Sequence, residues 1–167
     1  MSSQPEIVIR RATPADARGI LDCLAAAFEP YRTSYTPDAY LDTVLTEESV
    51  AARLRSMQIF VAAAGEQIVG TIACAMQDAN EGPLRGMSVL PEWLGRGIAA
   101  QLLAAAETEL DEEGCTCITL DTTAPLQCAM RFYENHGYRR SGKTTDFFGM
   151  TLHEYGKAAP FGRARRT

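Results

Sequence analysis

The sequence at residues 84–101 is LRGMSVLPEWLGRGIAAQ, and the organisation of the chain follows from it. It begins with an apolar segment, which predicts a strand that ends at Pro91. Gly95 and Gly97 then predict a turn, and the residues after them predict a helix because apolar side chains recur on one side. These side chains are Ile98, Leu102, Leu103, Ala106 and Leu110. The stretch is therefore expected to fold as strand, glycine turn and helix.

The predicted glycine turn is a candidate phosphate site. The first N–H groups of a helix lack intrahelical partners, and the helix dipole favours negative charge there. Gly95 and Gly97 have no Cβ, so the backbone can adopt positive φ and an anion can come close to the amides. An ordinary tight turn between a strand and a helix explains the same glycines. The nucleotide P-loop is excluded because no Lys-Ser or Lys-Thr follows, and G-x-G-x-x-G fails at Ala100.

Length and composition favour one folded domain. The 167 residues leave room for a single domain, expected to span residues 1–167. A net charge of −5 argues against general binding to nucleic acids and suits a cationic or neutral small substrate. The polar start and the lack of a long apolar run predict no membrane association and a cytoplasmic location.

The cysteines favour a reducing compartment and no metal site. They are five in number and scattered, which is typical of free thiols in a cytosolic protein. Cys115 and Cys117 have the spacing of half a metal site, but further ligands at suitable spacing are missing. We therefore expect these two cysteines to be ordinary strand residues.

The remaining segments predict alternating strands and helices. Strands are predicted at residues 6–11, 58–64, 67–76, 115–121, 138–143 and 147–155, and helices at 14–27, from 37, at 46–56 and at 125–136. The strands on either side of the helix after Gly97 should be parallel, within an otherwise antiparallel sheet. The fold class is α/β or α+β, with six to seven strands and helices on both faces. The basic end, residues 157–167, is expected to be loose.

Two motifs resemble those of the GNAT acyltransferase superfamily. Residues 89–99 are similar to its coenzyme A pyrophosphate motif, Gln/Arg-x-x-Gly-x-Gly/Ala, aligned on Gly97 and Ala99. Residues 129–138, AMRFYENHGY, are similar to the family's A-x-x-x-Tyr-Glu-x-x-Gly-Phe/Tyr signature. The predicted element order is also the family's, so the resemblance covers nearly the whole chain.

This sequence departs from the family pattern at two positions. Leu94 occupies the Gln/Arg position of the first motif, and Leu126 stands where many members carry an Asn that holds the pantetheine arm. Both changes remove a polar side chain but keep the backbone amides. We therefore expect a weaker or differently held cofactor rather than no site.

The resemblance implies a cofactor site for acetyl-CoA between two strands that splay apart. Main-chain groups of Met87 and Val89 would pair with pantetheine, and Leu126 and Tyr133 would lie beside it. The pyrophosphate would be held by the amides of Leu94, Gly95, Arg96, Gly97, Ile98, Ala99 and Ala100. The Val89 N–H would also face the thioester oxygen as charge develops on it.

The implied reaction is direct attack of a primary amine on acetyl-CoA in a ternary complex. Tyr133 is the family's position for the proton donor to the departing thiolate, although periodicity alone makes it a core aromatic. The general base is left open among Glu29, Glu81 and Asp121, each of which is also typical of a solvated carboxylate. His136 and His153 are expected to be structural.

The acceptor is not named by the sequence. Phe28, Tyr31 and Tyr35 lie in or beside an aromatic, proline-bounded segment and are candidates for a substrate wall, or else they pack on the core. A small-molecule or peptide amine fits, and a homodimer is a reasonable expectation from the family.

Two other functions remain open at this stage. The first is a non-catalytic acyl-CoA-binding sensor or scaffold, which the apolar residues Leu94 and Leu126 would support. The second is docking of a partner or nucleic acid by the basic tail at residues 162–167.

Overall fold

The computed structural model describes residues 5–161, in which strands and helices follow one another in the predicted order. The strands are β1 (Ile7–Arg11), β2 (Gln58–Ala64), β3 (Gln67–Cys74), β4 (Glu81–Val89), β5 (Cys117–Thr122), β6 (Arg139–Phe147) and β7 (Met150–Ala158). The α-helices are α1 (Ala17–Phe28), α2 (Pro37–Val44), α3 (Glu47–Ser56), α4 (Ile98–Glu112) and α5 (Gln127–Asn135).

Within residues 5–161 the strands form one seven-stranded sheet in the order β1-β2-β3-β4-β5-β7-β6. Neighbouring strands are antiparallel except β4 and β5, which run parallel. The chain between these two strands crosses over through α4, the connection that a parallel pair requires. The predicted mixed sheet with one parallel pair is confirmed.

The parallel pairing of β4 and β5 is short. It joins Glu81 with Cys117, Gly82 with Ile118 and Pro83 with Thr119. In the described part of the chain, no pairing between the two strands continues past Pro83, so they separate as the family resemblance implied.

An extra residue in β4 marks the place where the strands part. Thr71 pairs with Ser88 and Ala73 with Arg85, so two residues of β4 face the single intervening residue of β3. Gly86, one of the two, has φ of +62°, a conformation that favours glycine. Such a bulge bends its strand and increases the local twist, which turns the end of β4 away from β5.

Helices cover both faces of the sheet, and two glycines allow close approach. In α1, a Cβ on Gly19 would lie 2.6 Å from Ile68 Cγ1. On the other face, a Cβ on Gly70 would lie 2.9 Å from Leu102 Cδ1 of α4 and 3.2 Å from the Ser88 carbonyl oxygen. Close contact with β3 therefore fixes the position of α4, whose first turn carries the candidate phosphate site. Within residues 5–161, no helix combines the length and apolar character needed to cross a membrane.

Residues 157–161 are ordered, although we expected them to belong to a loose tail. Lys157 lies in β7, and its Nζ is 2.9 Å from Glu107 Oε2 of α4. The Tyr138 hydroxyl donates to the same oxygen at 2.8 Å, and Phe161 is buried. Lys157 and Tyr138 thus satisfy the buried Glu107 carboxylate, which requires partners. Residues 162–167, the rest of the expected tail, lie outside the described residues.

The last hairpin and the start of β4 differ from the sequence-based expectation. The last hairpin turns at Phe148 and Gly149, which both have positive φ, rather than at residues 144–146. A two-residue turn of this kind matches the twist of the strands, so the hairpin arms are longer than composition suggests. Strand β4 begins at Glu81 instead of residue 84 because its first residues pair with β5.

The packing of α4 on β3 can be tested by Gly70→Ala. The added methyl group meets Leu102 and the Ser88 carbonyl, so the free energy of unfolding should fall by about 1–3 kcal/mol. Urea denaturation measures this change. The matched control is Gly156→Ala, where the nearest atoms to an added Cβ are 3.7 Å away and little loss is expected. Equal losses in the two variants would contradict this account of the helix position.

Candidate active site

A cavity of about 420 Å³ lies where β4 and β5 separate. This volume is typical of a small-molecule site. The sequence-predicted site residues on its wall are Phe28, Tyr31, Tyr35, Met87, Val89, Leu94, Asp121, Leu126, Ala99 and Tyr133. The structure therefore brings the predicted acceptor wall and part of the predicted cofactor site into one space.

One edge of β4 faces this cavity without a strand partner. The Leu90 N–H donates to the Val69 carbonyl of β3 at 2.8 Å. Because successive N–H groups of a strand point to opposite edges, the Val89 N–H points away from β3, toward the opening. Met87 also lines the cavity, next to the bulge where this alternation is interrupted. These groups are placed to bind an extended ligand as another strand would.

A buried hydroxyl on the opposite strand also lacks a partner. Thr122 of β5 lines the cavity, and its Oγ1 forms no hydrogen bond with any residue in the range 5–161. Buried polar groups in proteins are nearly always hydrogen-bonded, so this hydroxyl is suited to a polar ligand. An unpaired strand edge and an unsatisfied hydroxyl on the facing strand fit the amide-rich arm of coenzyme A.

The glycine turn leaves open space above the backbone. Gly95 and Gly97 have φ of +78° and +77°, and a Cβ on either would meet no atom within 4 Å. The first backbone bond of α4 runs from the Gln101 N–H to the Gly97 carbonyl at 3.2 Å. The amides of Ile98, Ala99 and Ala100 therefore have no partner within the helix and are suited to bind an anion.

The side chains of the turn contribute less than its backbone. The Ile98 side chain is buried in the core, and the Arg96 guanidinium lies 4.5 Å from the centre of the Trp93 ring. Leu94 is 62% exposed at the cavity rim. Of the predicted pyrophosphate residues, Leu94 and Ala99 line the cavity, and the others lie outside it.

Tyr133 occupies a buried position on the cavity wall. Burial raises the pKa of its hydroxyl well above the usual value, so the phenol keeps its proton at neutral pH. Its ring packs edge-on against Phe132 and Tyr138, at centroid distances of 5.4 and 5.7 Å. The described residues offer its hydroxyl no hydrogen-bond partner. The side chain is thus a core aromatic whose hydroxyl remains available to a ligand.

Among the three carboxylates considered as a base, only Asp121 lines the cavity within the described chain. Glu29 is bound to Arg32 at 3.1 Å outside it, and Glu81 lies at the far start of β4. Partial desolvation raises the pKa of Asp121, and the nearby Glu154 raises it further, while Arg85 and Lys143 oppose the shift. A raised pKa makes this carboxylate a better proton acceptor near neutral pH.

The aromatic segment after α1 forms a second wall. Phe28 lies 6.3 Å from each of the Tyr31 and Tyr35 rings, centroid to centroid. The Tyr35 hydroxyl is 2.7 Å from Thr123 Oγ1, which links this wall to the end of β5. Phe147 and Leu152 of the last hairpin complete the wall. Phe28, Tyr31 and Tyr35 therefore pack on the core and also line the cavity.

Sequence reasoning missed a charged group of residues in the cavity. Arg53 of α3, Arg85 of β4 and Asp42 of α2 line it, although they are far apart in sequence. The only available signal was Arg85, a charged residue inside the apolar strand before the glycine turn. The positions of the other two depend on how α2 and α3 pack against the sheet.

Comparison with curated proteins finds relatives that are named as N-acetyltransferases or synthetases. The chain is 32% identical to N-acetylaspartate synthetase of Danio rerio over 68% of this chain and 43% of that protein. It is 38% identical to aminoalkylphosphonate N-acetyltransferase of Salmonella typhimurium, over 45% of this chain and 52% of that protein. The chain therefore matches about half the length of these relatives.

Solved structures share the fold. The PaiA N-acetyltransferase from Thermoplasma acidophilum, in complex with coenzyme A, superposes with a TM-score of 0.77 at 18% identity. That match covers 92% of this chain and 99% of the other. A sequence model of the acetyltransferase (GNAT) family matches residues 20–138, and this chain therefore belongs to that family.

Proposed function

We propose that this chain is an N-acetyltransferase that moves an acetyl group from acetyl-CoA to a primary amine by direct attack. The observation that carries the proposal is the separation of β4 from β5. It leaves one edge of β4 without a strand partner beside a cavity lined by Met87, Val89 and Tyr133. The names of the curated relatives, which this chain matches over about half of their length, support acetyl transfer to an amine.

The cofactor would be held mainly by backbone. Main-chain groups of Met87 and Val89 would pair with the pantetheine arm, and the Thr122 hydroxyl would donate to it or accept from it. The amides between Leu94 and Ala100 would hold the pyrophosphate at the start of α4. Leu94 and Leu126 would supply apolar contact where many family members have polar side chains.

Three groups would act on the reacting atoms. Acetyl-CoA supplies the acetyl thioester. The amine nitrogen bonds to the acetyl carbon as the carbon–sulfur bond breaks, and the Val89 N–H stabilises the charge that develops on the acetyl oxygen. Asp121 accepts the proton of the incoming ammonium through water, and Tyr133 donates its proton to the departing sulfur. The second proton, which the nitrogen loses as the amide forms, returns to Tyr133 and restores the phenol.

We also propose that residues 1–167 act as one domain on a small-molecule or peptide amine, as a homodimer in the cytoplasm. The five free cysteines support a reducing compartment. The dimer rests on the family resemblance alone.

The cofactor site can be tested by Ala99→Glu. An acidic residue in the first turn of α4 suits the helix dipole, so folding should be retained, but it should repel a pyrophosphate. We expect micromolar binding of acetyl-CoA by calorimetry in the unmodified chain and at least a tenfold weaker affinity in the variant. The matched control is Ala104→Glu, an exposed position of the same helix, which should bind normally. Equal affinity in both variants would place the cofactor elsewhere.

The proton donor can be tested by Tyr133→Phe. Loss of the hydroxyl should lower kcat by about a hundredfold or more while acetyl-CoA binding is kept, since the ring still fills its site. Steady-state acetylation of a turned-over amine measures the effect. Tyr138→Phe removes a neighbouring buried hydroxyl and should reduce stability but not kcat. Tight binding with no turnover of any amine, in the unmodified chain, would favour the sensor function instead.

Asp121→Asn should lower turnover and raise stability. The pKa of Asp121 is higher in the folded chain than in the unfolded chain, so folding disfavours the ionised carboxylate. The resulting loss of folding stability is complete above the folded pKa and absent below the unfolded pKa. The variant should therefore gain stability at pH 7.5 and gain less as the pH falls toward 4. Urea denaturation at the two pH values, with Asp78→Asn outside the cavity as control, measures the gain. A gain that grows toward acidic pH would contradict the assignment.

A further inference from the structure

We propose that the acceptor amine carries an oxyanion of its own, such as a carboxylate or phosphate, and that Arg53 and Arg85 bind it. The proposal deepens the proposed function and rests on it, because it names the class of amine that the same cavity accepts.

The two arginines reach one part of the cavity from different elements. Arg85 belongs to β4, and Arg53 reaches over from α3. Arg53 Nη1 lies 2.9 Å from the point that a Cβ on Gly86 would occupy. The Arg53 guanidinium therefore packs on the backbone of Gly86, the neighbour of Arg85. A residue with a Cβ at position 86 would not leave room for it.

Neither guanidinium is neutralised by the protein. In the range 5–161, neither Arg53 nor Arg85 donates a hydrogen bond or has a carboxylate within ion-pair distance. Among the other arginines of residues 5–161, a carboxylate partner is found for Arg10, Arg11, Arg18 and Arg32. Burial lowers the pKa of Arg53, and the charge of Arg85 lowers it further, against the opposing effect of Asp42. Arg53 is half-buried and Arg85 is exposed, and two neighbouring cations without a carboxylate partner form a site suited to an anion.

The position of this pair separates it from the cofactor phosphates. Arg85 pairs with Ala73 and Val89 with Gly70, three residues apart on β3, which places Arg85 about 10 Å from Val89 on the side away from the glycine turn. The pyrophosphate would lie beyond Val89, at the start of α4. An anion bound by the arginines therefore belongs to the acceptor rather than to coenzyme A.

The carboxylates of the cavity fit the other end of such an acceptor. Asp121 lines the cavity within electrostatic reach of Arg85 and is proposed to take the proton of the amine. An amine bound near Asp121 would thus place an attached oxyanion toward Arg85 and Arg53. Asp42 is exposed and forms no ion pair with Arg53 among residues 5–161, so it leaves the positive charge only partly balanced.

Local charge here differs from the charge of the whole chain. The net charge of −5 suits cationic or neutral substrates in general. A polyamine in this cavity would, however, place a second ammonium group close to two guanidinium groups. Charged side chains that contact the ligand act at short range and determine its orientation in the cavity. The net charge of the protein mainly affects the rate at which a charged ligand associates.

The test compares amines that differ only in the oxyanion. Acetylation of β-alanine is measured against 3-aminopropanamide, and that of O-phosphoethanolamine against ethanolamine, so that the two pairs separate carboxylate from phosphate. We expect kcat/KM to be at least about tenfold higher for one or both of the anionic members, as a charge-assisted hydrogen bond gives.

Variants then assign the effect to the arginines. Arg53→Gln and Arg85→Gln should each lower the ratio of kcat/KM for the anionic amine to kcat/KM for its neutral partner by about tenfold to a hundredfold. The ratio cancels the effect of Arg85 on the pKa of Asp121, which acts equally on both amines. Arg85→Lys should restore part of the loss. Arg55→Gln, an exposed position of the same helix as Arg53 and outside the cavity, should change neither value.

The outcomes separate the two proposals. Neutral or cationic amines that are acetylated as well as the anionic ones, or equal losses for both members of a pair in the variants, would overturn this inference and leave acetyl transfer intact. No transfer to any amine by a chain that binds acetyl-CoA would overturn the proposed function, and this inference with it.

Discussion

The site depends on how briefly β4 and β5 are bonded to each other. Within the described residues they share three residue pairs, ending at Pro83 with Thr119, and the bulge at Gly86 then turns β4 aside. A sheet that stayed closed would satisfy these backbone groups internally and leave nothing for a ligand. At the bulge, the Arg53 guanidinium occupies the space next to Gly86 that a Cβ would need. One extra residue in a strand therefore shapes both the cofactor edge and the charged end of the cavity.

An opened sheet needs support from its surroundings, and α4 provides much of it. The helix contacts β3 closely at Gly70, and its other end holds Glu107 between Tyr138 and Lys157. Removal of one partner of such a buried ion pair typically costs about 3–5 kcal/mol, since the other charge is left unpaired. The far end of α4 is thus held by β7 while its first turn stays free for an anion. The opening between β4 and β5 therefore lies between two well-packed regions.

The parts that sequence reasoning predicted are those set by local pattern. The glycine turn, the helix after it and the parallel pair follow from residues close together in the chain, and the family assignment is confirmed on the same stretch. The position of the last turn was missed because Phe148 adopts positive φ, which composition does not indicate. Ordering of Lys157 was missed because its partner Glu107 is distant in sequence. From the sequence, Asp121 was one of three equal candidates for the general base, and only its position on the cavity wall distinguishes it. The presence of Arg53 in the cavity depends entirely on tertiary packing.

Two parts of the chain form the cavity, one on the cofactor side and the other on the acceptor side. Residues 84–133 supply the unpaired strand edge, the glycine turn and Tyr133, whereas much of the acceptor wall comes from α1, the aromatic segment after it, α2, α3 and the last hairpin. Changes at positions such as Tyr31 or Arg53 can alter the accepted molecule while the cofactor edge is untouched. Specificity in this chain can therefore diverge by substitutions on one side of the cavity, at sites that the shared chemistry does not constrain.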